Sequence, residues 1–483
     1  MRVTKQLILR LLVLLLVVAA LAGAGWQLVL SHSFYAPNPP AAASGVMPAP
    51  EAGEKIVIFA PHEDDETLGC AGYLQQALAV GASVHVVLLT NGEYPEWSVV
   101  LFEKALPSIA AYLKLGYMRQ RETLAAMNLL GLPANQVTFL GYPNEYLHQM
   151  WEPAHWRFAN PVRSIRTNST RSPFSNSMTK GAIFCGASLL RDVETVLLRE
   201  QPDIVISLHP NDLHRDHWPT GAVVRFALDE LGAGGEPFAR KCRVYTYLIH
   251  RGPAWPVPRR YAPTLRLEPP AALAALKQTD WLALPLTLDQ TLVKHRALLM
   301  YRTQGARFDN LLLSFARANE LFGVVAHHHW PASRDVPTTP VILDPFADLP
   351  APLAYGQGDI GRVDLARNGT RMTVTVTTRK PPNGKIGYHF AIHYGGADTA
   401  DRGVIEYDWQ GKKATGLAVR KNTLAPLPPA ELKVSLGDRA VTLDAPWPLP
   451  DATTRFFQLR AWTTLGRRTV DQTAETPFEL VQP

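Results

Sequence analysis

The chain reads as an α/β, Rossmann-like domain, a mostly parallel sheet with helices on both faces, followed by a C-terminal all-β sandwich. Three observations carry this reading. Between Lys55 and Ile249 short apolar runs alternate with amphipathic stretches, as the strands and crossover helices of a parallel sheet do. Beyond Pro331 the texture changes to short β-prone runs broken by Gly, Asn and Pro. The length of 483 residues exceeds what one core usually serves, so two folded bodies and a non-globular N-terminus are expected.

At the start of the chain, Arg2, Lys5 and Arg10 precede an uncharged stretch from Leu11 to Leu30. At about 1.5 Å per residue it is long enough to span a hydrocarbon core, and its basic flank fits a segment held inside. Residues 1–32 therefore read as a signal anchor, or as a signal peptide if Ala22-Gly23-Ala24 is a cleavage site. Either way the body is expected outside the cytoplasm, membrane-anchored with a periplasmic or extracellular catalytic part, or secreted. Residues 33–53, with Pro37, Pro39, Pro40, Pro48 and Pro50 among alanines, read as a semi-rigid linker.

In the body, residues 54–330, Lys55 to Ala60 reads as a buried strand, Thr67 to Val80 as a helix and Ser83 to Thr90 as a second strand. Met118 to Leu130 has helical spacing and stops at Gly131, and Val137 to Leu140 is a third strand. The irregular, polar stretch from Trp151 to Lys180 is long enough to form a rim or lid. Helix Leu189 to Glu200, strand Ile204 to Leu208, helix His217 to Leu231 and strand Val244 to Ile249 follow. Residues 331–350 read as a second linker. The sandwich, residues 351–483, takes its strands from Arg371 to Thr378, Ile386 to Tyr394, Gly403 to Trp409, Glu431 to Leu436 and Arg455 to Thr463.

Bulk composition excludes some functions. The net charge is only +6 and its Lys and Arg residues are scattered, so nucleic acid is not an expected partner. Three cysteines, Cys70, Cys185 and Cys242, lack the spacing of a thiolate zinc site. The run His327-His328-His329 reads as a linker tract, because three consecutive histidines cannot all face one ion.

Two loops carry the chemistry. The first strand ends in Pro61-His62-Glu63-Asp64-Asp65-Glu66 and the fourth in His209-Pro210-Asn211-Asp212-Leu213-His214-Arg215-Asp216-His217. With strand order 3-2-1-4-5, strands one and four are neighbours at the topological switch point, so the loops face each other across the ligand crevice. Two histidines and a carboxylate with an open position form a recurrent catalytic zinc set. The plainer reading makes Asp64 and Asp65 a helix N-cap pair and His214 and His217 surface residues. Two such loops at adjacent strand ends favour the site.

PHEDDETLGCAG together with HPNDLHRDH resembles the PIG-L, or LmbE-like, zinc-dependent de-N-acetylase family, whose usual forms are (P/A)HPDDE and HPxDxHxDH. Further agreement comes from Arg119 and Glu122 in MRQRETLAAMNLLG, from FLGYPN at Phe139 to Asn144, and from KHRALLMYRTQ followed by FARANELF. The resemblance covers about Lys55 to Val325. It implies His62, Asp65 and His217 as ligands of Zn2+ or another divalent ion, and Asp64 as general base. It implies a positively charged His214 as acid or oxyanion stabiliser, oriented by Asp216, with Arg119 and Asn144 at the substrate. The implied activity is removal of an N-acetyl or other N-acyl group from an amino-sugar glycan or glycoconjugate, of N-acetylglucosamine type.

Three positions depart from the family pattern. Glu63 replaces a proline, Ala71 stands where a glycine pair is common, and Asn144 stands where an aspartate is frequent. No ligand and no base is lost. Two other function classes are weighed beside the first: a non-catalytic glycan-binding or scaffold protein on a degenerate deacetylase fold, and an amidase acting on a small thiol-sugar conjugate. The intact acids and histidines argue against the former, and the export signal against the latter. The sandwich is a candidate carbohydrate-binding module.

Overall fold

The computed structural model describes residues 41–94, 98, 100, 102, 106–252, 255–304, 310–346, 355–450 and 452–481. The expected membrane segment lies outside these residues. Among the described residues no helix is long and apolar enough to cross a membrane.

The first body is built on β1 (Gly45–Val46), β2 (Lys55–Ala60), β3 (Ser83–Thr90), β4 (Val137–Tyr142), β5 (Ile204–Leu208), β6 (Arg243–Tyr247), β7 (Thr279–Pro285) and β8 (Asn319–Val325). Their order across the sheet is β1-β7-β8-β6-β5-β2-β3-β4. The five strands β4-β3-β2-β5-β6 are parallel neighbours, which is the 3-2-1-4-5 order expected from sequence. Strand β8 then runs antiparallel to both β6 and β7. The main helices are α1 (Asp65–Val80), α2 (Ile109–Leu129), α3 (Leu147–Met150), α4 (Gly186–Glu200), α5 (His217–Ala233) and α6 (Leu288–Leu298).

Strand β2 shows why helices must cover both faces. Ile56, Ile58 and Ala60 join one core with Leu68, Ala71 and Leu74 of α1. Val57 and Phe59 join another with Leu189 and Val193 of α4 and Val223 and Phe226 of α5. A strand with no polar face cannot sit at a solvated surface. Helix α1 stops at Gly81, whose φ of 82° lets its N–H reach Ala77 and Leu78 carbonyls. Its glycines allow close packing, since a Cβ on Gly69 would lie 2.3 Å from the Tyr247 ring.

A buried ion pair pins α1 to α6 and β8. Lys294 Nζ is 2.7 Å from Glu320 Oε1 and donates to the Leu68 carbonyl at 2.7 Å. Glu320 also accepts the N–H groups of Gly72 at 2.7 Å and Tyr73 at 2.8 Å. Both strands β7 and β8 escaped the sequence reading; β8 opens on the polar pair Asn319 and Glu320, which tertiary partners satisfy.

The second body is a two-sheet sandwich. One sheet takes β10 (Asp335–Leu343), β11 (Ile360–Asn368), β12 (Arg371–Thr378), β17 (Lys433–Leu436) and β18 (Ala440–Pro446), in the order β10-β11-β12-β18-β17. The other has the order β16-β15-β14-β13-β19-β21-β9, with β20 (Arg468–Gln472) paired to β19. Its strands are β9 (His328–Pro331), β13 (Ile386–Gly396), β14 (Gly403–Gln410), β15 (Lys413–Arg420), β16 (Thr423–Pro426), β19 (Thr454–Leu465) and β21 (Thr476–Val481). Strand β12 alternates cleanly, with Met372, Val374 and Val376 in the core.

Two linker readings need correction. Residues 33–53 were expected to be free tether, but β1 pairs with β7 and Met47 is buried beside it. Residues 331–350 were expected to connect the bodies, yet β10 pairs along β11 inside the sandwich, and the His328-His329 part of the histidine run lies in β9 against β21. Strand β10 is an edge strand, where the missing N–H of Pro337 and Pro340 is tolerated, while β1 is a two-residue edge strand just before Pro48. Composition alone does not separate these cases.

The bodies share a core: Val404, Val419 and Phe456 of the sandwich pack with Phe226 of α5. Trp151 stacks on His393 at 4.4 Å and its Nε1 donates to Glu475 at 3.2 Å. Arg402 lies 3.2 Å from Glu194 of α4 and 2.7 Å from Glu230 of α5. Burial first, and then Glu194, push the Glu230 carboxyl up to about 9 against the pull of Arg402.

The folded state thus keeps a proton on Glu230 that the unfolded chain, near 4.3, gives up. A raised folded pKa contributes stability below the unfolded value and loses it as pH rises towards the folded one. Between pH 5 and pH 9 the melting temperature is expected to fall, and Glu230→Gln to flatten that fall. Equal slopes in calorimetry for the two proteins would remove Glu230 as its source.

Candidate functional site

The loop after β2 and the loop after β5 leave the carboxyl ends of two directly paired parallel strands. The first runs into α1 at Asp65 and the second into α5 at His217. Three donor atoms from them converge. His62 Nδ1 lies 3.1 Å from Asp65 Oδ2, His217 Nε2 lies 3.2 Å from the same oxygen, and the two ring nitrogens are 3.2 Å apart.

The far side of each ring fixes its tautomer. His62 Nε2 faces Asp216 Oδ2 at 3.1 Å and His217 Nδ1 faces Asp212 Oδ2 at 3.2 Å. With the ring protons on the sides of Asp216 and Asp212, both inner nitrogens present lone pairs to each other and to Asp65. Three converging lone-pair donors repel unless a cation lies among them. Metal–ligand distances of about 2.0–2.2 Å place tetrahedral donor atoms roughly 3.3 Å apart, close to the triangle seen here. The carboxylates behind the rings are the usual orienting partners of metal-bound histidine. The residues present therefore fit one divalent ion.

Electrostatics agree. Although burial alone would lower it, Asp216 and Asp65 hold the His62 ring well above its usual value. His217 is pushed up to about 9, because Asp212 and Asp65 outweigh burial. Asp65 is held well below the carboxylate range by His217 and His62, against the effect of burial. The set calls for positive charge at its centre.

Asp64 is not an N-cap. It occupies that position on α1, but its side chain makes no capping bond and its φ is 134°. Such a backbone is rare for a residue with a Cβ and costs of order 1–3 kcal/mol, which marks a conformation imposed by its surroundings. The carboxyl instead lines the cleft, where burial, then Asp65 and Glu66, push its pKa well up.

His214 differs from expectation in two ways. The Asp216 side chain does not orient it: that carboxylate holds His62 and accepts the N–H groups of Glu145 and Leu147. His214 is positioned instead by the Asp216 backbone N–H, donated to Nδ1 at 3.1 Å, and by Glu145 Oε1, 3.2 Å from Nε2. Burial, with His217 and His62 nearby, also lowers its pKa despite Glu145. The neutral ring with its proton on Nε2 therefore replaces the cation expected. His214, His62 and His217 do offer nitrogens close together. Both His214 nitrogens are already engaged, which leaves Asp65 as the better third donor.

Arg119 is only 2% exposed and lines the cleft with Asn144, Tyr94 and Gln304. It is not a surface partner of Glu122, which accepts from Thr303 instead. Arg166, from the irregular Trp151–Lys180 stretch, donates to the Asn144 carbonyl at 3.3 Å and lies over the Tyr94 ring at 4.0 Å, so that stretch backs two of the residues that line the cleft. Glu63 is fully buried and burial pushes it up to about 8.

Sequence reasoning gave no role to Glu145, Asp212 or His250. His250 follows β6, its ring 4.7 Å from that of His217, and it lines the cleft. Its place just past the fifth parallel strand was the available signal. All three cysteines are free, and burial raises the thiol of Cys70, consistent with packing.

Residues 57–228 match the PIG-L family model, described as GlcNAc-PI de-N-acetylase. A 1D-myo-inositol 2-acetamido-2-deoxy-alpha-D-glucopyranoside deacetylase from Kribbella flavida is 26% identical over 212 residues, 43% of this chain and 60% of that protein. The chain thus spans less than two thirds of that relative's length. Among solved structures, N,N'-diacetylchitobiose deacetylase from Pyrococcus horikoshii is 17% identical, covering 58% of this chain and 79% of its own at a TM-score of 0.31. GalB, the 4-carboxy-2-hydroxymuconate hydratase of Pseudomonas putida, is 18% identical, covering 54% and 82% at a TM-score of 0.33.

Proposed function

We propose that this protein, whose residues 57–228 match the PIG-L family model, hydrolyses the N-acetyl group of an amino-sugar glycan or glycoconjugate with a divalent metal, zinc first among the candidates. The observation that carries this is the donor triangle of His62, Asp65 and His217, with Asp216 and Asp212 behind the two imidazoles. The sugar class is supported by the 2-acetamido sugar in the name of the Kribbella flavida relative.

Bound at the triangle, the ion would supply Lewis acidity toward the amide carbonyl and a lowered pKa for water. Asp64, buried and proton-seeking, takes a proton from the attacking water as oxygen adds to the carbonyl carbon. The carbonyl oxygen gains negative charge, and His214, whose Nε2–H faces Glu145 at 3.2 Å, is the donor that would turn from that carboxylate to receive it. The C–N bond then breaks, and the proton on Asp64 passes to the leaving nitrogen. Products are acetate and the free amine. Arg119 and Asn144 orient the sugar from the cleft wall. The basic-flanked apolar stretch from Leu11 to Leu30 supports action outside the cytoplasm, with the body tethered or released.

Acetate release from N-acetylglucosamine oligomers is the direct test, with loss on chelation and recovery on adding zinc. Asp212→Asn leaves the triangle intact but removes the partner of His217 Nδ1, and is expected to raise the zinc concentration for half activity roughly 10–100-fold. A chelator-resistant activity, or no acetate from any N-acetyl sugar at saturating metal, would rule out the metal-dependent reading. Arginine-dependent glycan binding without turnover would favour the glycan-binding alternative.

A further inference from the structure

A second groove, of about 400 Å³, lies between the two bodies. Its walls include Leu213 and Arg215, the residues on either side of His214, while His214 itself faces the catalytic cleft. One loop therefore separates the two spaces. The sandwich closes on that loop, with Gln472 Nε2 3.5 Å from the Leu213 carbonyl, and Arg215 Nε lies 3.5 Å from Glu145, the acid that holds His214.

The groove is lined by three guanidinium groups, Arg215, Arg460 and Arg468. Its one lining acid, Glu152, is pushed up to about 7 by burial and so loses much of its charge near neutrality. Arg460 is held between the indoles of Trp218, at 3.8 Å, and Trp462, at 4.7 Å. Its terminal nitrogen donates to Gln472 at 3.0 Å, but its Nε is buried without an acceptor among the described residues. His148 Nδ1, on the opposite wall, is buried and unpartnered likewise. A planar guanidinium locked by stacking, with one N–H unanswered, is preorganised for an anionic oxygen.

The aromatic rings narrow the class of ligand. Trp462 carries Arg460 on one side and His389, stacked at 5.0 Å, on the other. Arg460 likewise covers Trp218. The Trp462 ring, already in contact with Arg460 and His389, is a poor platform for stacking on bases, which is the principal means of holding single-stranded nucleic acid. What the groove presents is hydrogen-bonding edges and positive charge.

We propose that this groove binds the acidic residues of a glycan chain that also offers an N-acetyl sugar to the catalytic cleft, so the substrate is an acidic polymer rather than an isolated sugar. The inference rests on the deacetylase reading for what happens in the cleft, but binding is measurable without turnover. The probes are oligosaccharides of equal length, one alternating N-acetylglucosamine with glucuronic acid and one of N-acetylglucosamine alone, titrated calorimetrically into the full chain carrying Asp64→Asn. The acidic chain is expected to bind roughly tenfold tighter or better, with affinity falling as salt rises.

Arg215→Gln combined with Arg468→Gln is expected to erase that preference. Both side chains are exposed, so melting temperature checks the fold. Equal affinity for the two probes, a preference that survives the double replacement, or tighter binding of a single-stranded oligonucleotide would each overturn the proposal. Arginine-dependent binding of the acidic probe by a wild-type chain that releases no acetate would leave the groove standing and bring down the deacetylase reading instead.

Discussion

Replacing Asp64 by asparagine is expected to lower kcat/KM for acetate release by roughly 10²–10⁴-fold while leaving metal content unchanged. The substitution keeps the shape of the side chain and removes its capacity to accept the proton of water. Asp64 is outside the donor triangle, so no ligand is lost. The replacement also removes a buried acid from beside Asp65 and Glu66, both of which disfavour its ionised form. Thermal stability should therefore hold or rise as activity falls. That combination, read from metal analysis, calorimetry and a progress curve on one preparation, separates a base from a merely structural residue. Activity within threefold of wild type would remove Asp64 from the role.

Glu320→Ala should have the largest effect on folding, about 3–5 kcal/mol, because it strands a buried cation. Lys294 is fully buried, and its remaining acceptor would be the Leu68 carbonyl. The N–H groups of Gly72 and Tyr73 lose an acceptor in the same step. Equilibrium urea unfolding reports the loss, and a value under about 1 kcal/mol would mean that water or a side-chain shift relieves Lys294. Adding Lys294→Met should restore part of the stability, since a buried pair replaced on both sides costs far less than one broken on one side.

The central sheet was legible because β2, β3 and β5 are short, apolar and separated by helical spacing, and the right-handed connection of parallel strands leaves few orders to choose from. The two chemistry-bearing loops were legible from their acids and histidines at neighbouring strand ends, whereas the choice of His62, Asp65 and His217 among them came from the family resemblance of the motifs. What sequence could not give is which carboxylate stands behind which ring. Asp216 and Asp212 lie in the same nine-residue loop, and only the backbone path sends one to His62 and the other to His217. Glu145 reaches His214 from the segment after β4, far away in the chain. The edge strands β1 and β10 were hidden by prolines, which composition reads as linker and the sheet tolerates at its margin.

The common core of Phe226, Val404, Val419 and Phe456 bears on how such a protein can change over generations. A module strung on a flexible connector can be gained, lost or exchanged by recombination without penalty to its neighbour. Here a cut between the bodies would expose Phe226 and strip Trp151 of both His393 and Glu475. The seam therefore ties the sandwich to the α/β body as a single folding unit, and a change of side-chain volume on one side is expected to need a compensating change on the other.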